Sequence, residues 1–380
     1  MGLLACGSFL VASIGVFRLD AVRDASRRTA GTGGFALIGE CTQPVVHDLN
    51  QASGQETLGL EANGLRGVAF VPFRVRDGDD ASCLNLNRAQ VPRLLGVRPE
   101  ALAERGAFTF ASTVDGVDPQ QPWLGLKRDA FRPRRGPPLA DDEVPAIGDL
   151  ASIRWALGKQ VGDTLDYTDE RGRAFKVRLV GAVAHSILQG NLIVDEAEFV
   201  RRYPSASGYR YFLVDTPPGQ AESVAATLTR ELRDFGLEMT PTMQRLAAFN
   251  AVQNTYLGTF QALGGLGLLL GSVGLGAVVL RNVFERRSEL ALLLAVGFRA
   301  RALRQLILSE HVALLVVGLG VGVLAALVAV MPSVWALGAQ VPYRSLALTL
   351  LTILLNGVLW TALAAEVALR GHLLAALRNT

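Results

Sequence analysis

The sequence predicts a membrane protein: four transmembrane α-helices, the first short or truncated, with a large α+β extracytoplasmic domain between spans one and two. Half of the 380 residues are hydrophobic and only 19% are charged, against ~25% in soluble globular domains. The apolar residues are segregated, mostly into the C-terminal third. Arginines crowd one of the loops joining these apolar stretches and are nearly missing from the other. A net charge of +3, with Lys127, Lys159 and Lys176 the only lysines, excludes a supercharged nucleic-acid binder.

Residues 1–17 are apolar throughout, at the short end of what a span needs. They have no basic leader and no small-residue cleavage site, so a cleaved signal peptide fits poorly. Leu3-Leu4-Ala5-Cys6 resembles a lipoprotein cleavage box, but Cys6 comes too early for one. A membrane helix whose start is cut off is the expectation. The second span is placed at 256–280, inside Leu246–Leu280, a stretch without Asp, Glu, Lys or Arg. As a helix, Leu257–Leu280 would run about 36 Å, enough to cross a ~30 Å hydrocarbon core with tilt. The third span is expected at 311–331, before Pro332, with His311 solvated at its mouth beside Glu310. The fourth is expected at 345–366, where Asn356 should face protein, and residues 367–380 form a tail.

Orientation follows from the short loops. The 281–310 loop holds Arg281, Arg286, Arg287, Arg299, Arg301 and Arg304, whereas Pro332–Arg344 holds one arginine. The positive-inside rule puts the arginine-rich loop and the tail in the cytoplasm, and residues from about 18 to 245 outside.

That exported region is expected to divide near Ala140–Asp149. In its first part, 18–149, irregular and rich in Gly, Asp and Pro, Val68–Val75 is strand-like. Leu126–Pro138, with five basic residues and three prolines, reads as a solvated loop. The second part, 150–245, is α+β: strands are predicted at Thr164–Tyr167, Ala174–Val183, Asn191–Val194 and Tyr209–Val214. Asp195 and Glu198 have the spacing of a capping box, and Thr216-Pro217 is expected to open a helix running to Phe235 and stopped by Gly236. An oxidising compartment would permit a disulfide between Cys41 and Cys83, and two free buried thiols are the alternative.

Catalytic signatures are missing. No His, Cys or carboxylate group has metal-ligand spacing, there is no G-x-S-x-G elbow, and there is no G-x-x-x-x-G-K-[ST] phosphate loop. The chain is therefore expected to be neither an enzyme nor a binder of any cofactor. The membrane stretches carry a packing signal instead: Gly264, Gly267, Gly271 and Gly274 recur at three and four residues, and Gly318 and Gly322 form a G-x-x-x-G. Small faces let membrane helices approach closely. In the 281–310 loop an apolar run turns at Gly297 and resumes as a basic amphipathic helix with Leu303, Leu306 and Ile307 on one face, a pattern suited to a membrane surface or to a partner's groove.

Glu285-Arg286-Arg287-Ser288-Glu289-Leu290-Ala291, followed by Ala295-Val296-Gly297-Phe298, resembles the E-R-x-x-E-[IL] … A-[VL]-G signature of FtsX-like, MacB-like ABC transporter permeases. The segment from Gly158 through Gly181 is similar to domain strands of the same family. The resemblance implies a bacterial inner-membrane permease subunit that relays ATP-driven change from a cytoplasmic ABC ATPase dimer to an extracytoplasmic domain. Its cargo would be a lipoprotein, a peptide or a small hydrophobic compound. ATP and Mg would be used by the ATPase. A second permease copy or half, membrane lipid and an extracytoplasmic protein would be further partners, and nucleic acid would not. It also implies that Glu285, Arg286, Arg287 and Glu289 set the attitude of the loop, that Val296, Gly297 and Phe298 form its bend and plug, that Ala295 and Arg299 join these residues in coupling to the ATPase, and that the chain is the C-terminal half of a longer, duplicated permease. A membrane-anchored binding or sensor protein, or an activator of a cell-wall hydrolase, is the alternative.

Overall fold

The computed structural model describes residues 27–61, 64–79, 81, 89–133, 138–337 and 343–370. The span expected at 1–17, Cys83 and the tail beyond Arg370 lie outside the described residues. Asp20–Gln253 form one compact unit, and Asn254–Thr380 belong to a second.

The first unit runs β1 (Leu37–Val45), α1 (Ala52–Thr57), β2 (Ala69–Arg76), β3 (Arg93–Val97), α2 (Pro99–Ala103), β4 (Phe110–Thr113), β5 (Glu143–Asp149), β6 (Thr164–Thr168), β7 (Ala174–Val183), β8 (Asn191–Asp195), α3 (Glu196–Arg202), β9 (Tyr209–Asp215), α4 (Ala221–Glu231) and β10 (Glu238–Pro241). The ten strands join one mixed sheet in the order β10-β1-β9-β2-β3-β8-β5-β7-β4, with β6 beside β7. The strands expected from alternation are present within a residue or two at each end.

The expected break near Ala140–Asp149 is absent. β5 fills it, every one of its residues is buried, and it pairs with both β7 and β8. β3 runs parallel to β8, and β2 pairs with β9, so the two halves of the sequence interleave in one sheet. In the part of the basic stretch that is described, 126–133, the chain is held rather than free: Leu126 and Phe131 are buried, and Arg128 donates to the Glu143 carbonyl at 2.7 Å; residues 134–137 lie outside the described residues.

One helix boundary and one helix cap differ from expectation. α4 begins at Ala221 rather than Thr216 because Gly219 has φ +80°, which a right-handed helix cannot hold. From there Val224, Leu228 and Leu232 pack with Leu37, Cys41, Phe70 and Phe212, and Gly236 stops the chain at φ +64°. Asp195 does precede α3, but its side chain makes no capping bond, and Glu198 instead pairs with Arg201 and Arg202.

The strap before β1 and the first turn of the helix after β10 meet at one corner. α5 (Thr242–Glu285) starts there. Thr242 donates from its backbone N–H to the Ala36 carbonyl and from its hydroxyl to that of Phe35, while Leu246 joins the central apolar cluster. Gly31 lies so close to the His185 carbonyl that a side chain would collide with it, and a Cβ on Gly33 would come within 2.7 Å of the Phe108 ring. Phe108 (φ 70°) and His185 (φ 45°) are the non-glycine residues with positive φ among the described residues, a conformation that costs about 1–3 kcal/mol each. Arg105 closes the corner by donating to the carbonyls of Gly33 and Gly34 and pairing with Asp215.

The second unit is helical: most of α5, then α6 (Arg287–Ala295), α7 (Ala300–Leu337) and α8 (Tyr343–Arg370). Thr255–Glu285 and Arg301–Ala329 are long and apolar enough to cross a membrane, and the apolar part of α8, Leu350–Leu363, is shorter. α7 and α8 pack closely where Gly357 faces Leu315, so that a Cβ there would stand 2.5 Å from the leucine. His311 is buried, not solvated as expected; its Nδ1 lies 2.9 Å from the Ile307 carbonyl oxygen.

Candidate functional site: the elbow between helices

α5 ends at Glu285. Arg286 keeps the backbone ladder going, its N–H donating to Asn282 and its carbonyl accepting from Leu290, so α6 follows with little interruption. The stop comes at Gly297. Its φ is +102°, and the Phe298 N–H donates back to the Leu293 carbonyl while the Val296 N–H donates to Leu292. The bond from Phe298 to Leu293 is that of a Schellman stop, which satisfies a carbonyl the helix would leave unpaired. Arg299 then accepts from Ala302 and Leu303, starting α7.

Beneath the elbow lies a small apolar core: Val279 and Val283 of α5, Leu290 of α6, and Leu303 and Ile307 of α7. Ala291 is buried too. Above it, Val296 is 73% and Phe298 53% exposed, with Leu292 and Ala295 also outward. Leu306, expected to share the buried face of α7, is exposed. Residues 303 and 307 are one helical turn apart and cover the core between them, which leaves 306 rotated toward the outside. Arg299, Arg301 and Arg304 are exposed around the apolar tip.

Ion pairs brace the bend. Arg281 pairs with Glu285 at 2.7 Å. Arg286 reaches Glu289 on α6 at 3.5 Å and Glu310 on α7 at 3.3 Å, tying both arms together. All of these side chains are about half exposed or more, so each pair contributes only ~0–1 kcal/mol. Their value is geometric. Arg287 opens α6. Sequence reasoning missed Glu310 as the partner of Arg286, because 24 residues separate them and no local pattern joins them.

Of the six glycines marked for helix packing, Gly264, Gly271, Gly318 and Gly322 are buried. Gly267 and Gly274 have open space where a side chain would be, within 4 Å. Among the helical-unit glycines whose surroundings are described, the close approach is at Gly357, against Leu315; the Cβ position of Gly276 lies in ordinary contact, 3.6 Å from the Trp360 ring. The spacing of Gly357 and buried Thr361, a small-x-x-x-small pair, was the signal that would have found the first.

In the sheet unit, Cys41 is a buried free thiol pushed up to about 12 by burial and the neighbouring Glu40, an environment that disfavours the thiolate. Asp149 is wholly buried. Its Oδ2 accepts from the Ser186 N–H at 2.7 Å and hydroxyl at 2.9 Å, and its Oδ1 from the Ala151 N–H at 2.8 Å. Burial nevertheless holds its carboxyl above the usual range, with those donors opposing. A cleft of about 560 Å³ elsewhere in the unit is lined by Arg76, Asp77, Asp169, Glu170, Tyr203 and Arg210 among others. Arg210 is already paired with Asp77 at 2.6 Å, and Glu170 with Ser205. Among the described residues no group of three or more His, Cys, Asp or Glu is placed to hold a metal.

Residues 262–373, the stretch containing the elbow and less than a third of the chain, match the FtsX-like permease C-terminal family. Among solved structures, the periplasmic region of MacB from Actinobacillus actinomycetemcomitans aligns over 62% of this chain and 97% of that one, with 11% identity and a TM-score of 0.28. An overlap that loose carries no argument about function. No curated protein matches the chain.

Proposed function

We propose, from the premise that residues 262–373 are an FtsX-like permease C-terminal domain, that this chain is a non-catalytic permease subunit driven by a separate ABC ATPase. The ATPase dimer handles ATP and Mg. It docks on the elbow from the cytoplasm of a bacterial cell, and its closure is relayed through the helices to residues of about 18–245 outside. That motion expels or extracts a lipoprotein, a peptide or a small hydrophobic compound, with a second permease copy or half completing the membrane unit.

The observation that supports the reading best is the elbow's construction. An apolar tip of Val296 and Phe298 projects from a braced and packed base, the shape that fits an apolar groove on a partner. Gly297 has no neighbour within 4 Å where a side chain would stand. Gly297→Val would therefore act through the backbone alone, at about 1–3 kcal/mol for a β-branched residue forced to positive φ. In membranes reconstituted with the ATPase, Gly297→Val should abolish ATPase stimulation while Gly297→Asn retains part of it. Equal stimulation by all three proteins would overturn the coupling role. A Val296→Cys probe should react with impermeant maleimide only after cells are opened, and labelling of intact cells would reverse the orientation.

A further inference from the structure

We infer that Trp155 is the anchor of a docking surface on the sheet unit for a second protein, one that offers an apolar socket rimmed by carboxylates. Trp155 is 76% exposed, more than any other large apolar residue described in either unit. Soluble units keep tryptophan at least partly covered, and exposed tryptophans are concentrated at binding hot spots.

The residue is not loose. It sits on a π-helical turn, Ser152–Ala156, of the kind concentrated at functional sites. The turn is fixed at each end. Asp149 receives the Ala151 N–H at 2.8 Å, the Ser152 hydroxyl oxygen accepts from Gly190 at 2.9 Å, and Lys159 donates to the Ile153 carbonyl at 2.9 Å. Ile153 and Leu157 are buried on either side of the tryptophan and plug the turn into the core beside Leu94, Val144 and Leu192. A ring held outward by a fixed turn loses little freedom on binding, so the partner contact need not offset a large ordering cost.

Charge selects the partner's chemistry. Arg154, next to Trp155 in the chain, is exposed, Lys159 beyond it is half-buried, and there is no acidic residue between Asp149 and Asp163. A turn whose own charges are all cationic disfavours a basic partner and steers an acidic one. The inference rests on the proposed sidedness only for the compartment that supplies the partner.

The test places a photoreactive benzoylphenylalanine at position 155 of the full chain in its own cells, with Val46 and Val91, exposed in the same unit, as control positions. The expected result is a discrete protein adduct at 155 and none at the controls. Peptide mapping should place the crosslink next to Asp or Glu, and Arg154→Glu with Lys159→Glu should cut its yield about tenfold. Both substitutions are at partly or fully exposed positions, so an unchanged melting temperature would show the variant to be folded. Yield at 155 no higher than at the controls, an adduct only with lipid or a second copy of this chain, or indifference to charge reversal would each overturn the inference. An adduct with a cytoplasmic protein would uphold the docking surface and overturn the sidedness instead.

Discussion

In the sheet unit Phe73, Leu95, Leu179 and Phe199 are buried at 0–1% exposure, and charged residues such as Arg154 and Arg201 face outward. In the helical unit Leu324 and Val328 stand 67% and 65% exposed, while the polar His311 and Thr361 are inside. The same chain thus solves two solvent problems. Where water surrounds the fold, burial of apolar area is the driving force. In lipid, the surround proposed for the helical unit, helices gain nothing by hiding such residues, and association falls to close contacts and internal hydrogen bonds. The Gly357–Leu315 contact and the bond from the Thr361 hydroxyl to the Gly357 carbonyl at 2.8 Å are of that kind.

The strongest way to break the comparison is to exchange rules between the units. Phe199→Ala, which empties a site packed against Gly96, should cost about 3–5 kcal/mol in thermal or denaturant unfolding. Leu324→Ala should be near neutral, whereas Leu324→Arg should impair insertion by about 2.5–3.5 kcal/mol. If that arginine inserts freely, the outer face of α7 is not in lipid. Gly357→Leu should come next: it forces α7 and α8 apart and should lower the melting temperature in detergent, at about 1–3 kcal/mol for overpacking. Gly267→Leu, with room around it, should leave melting unchanged, and a large loss there would place another helix against that face.

Asp149→Asn sharpens the picture of the sheet unit, at about 1–3 kcal/mol for mismatched buried donors. Because the folded carboxyl titrates above its unfolded value, its contribution is fully present below the unfolded pKa and declines as pH rises through the folded one. The stability gap between wild type and Asp149→Asn should therefore be widest at acid pH and narrow toward neutrality. The smallest effect belongs to Arg286→Ala, which removes exposed pairs and should shift melting by less than ~1 kcal/mol while lowering ATPase stimulation. A large loss of stability would make the brace structural.

What was legible in the sequence follows the same physics. β7 and β9 alternate or run apolar between turn residues and were visible at once. β5 was not, because its Glu143, Pro145, Gly148 and Asp149 look like a linker. They can be buried only because distant residues receive them: Arg178 pairs with Glu143 at 3.3 Å, and Ser186 satisfies Asp149. β1, β3 and β10 are short or polar and exist through their neighbours. At the elbow, Gly297 and the tip were readable from local order. The Arg286–Glu310 brace and the burial of His311 depend on how the arms fold back, which no single segment records.

The corner at Gly31 and Gly33 has a mechanical consequence. The strap before β1 and the first turn of α5 are knotted to the same few atoms of Phe35, Ala36 and Thr242. Phe108 and His185, cocked in unfavourable backbone shapes against those glycines, resemble a sprung catch: a tug that lifted the strap would let both relax. The serine after His185 hangs from Asp149, and Asp149 also holds the base of the turn that carries Trp155. Loosening the strap would therefore reach, through Ser186 and Asp149, the turn that carries Trp155.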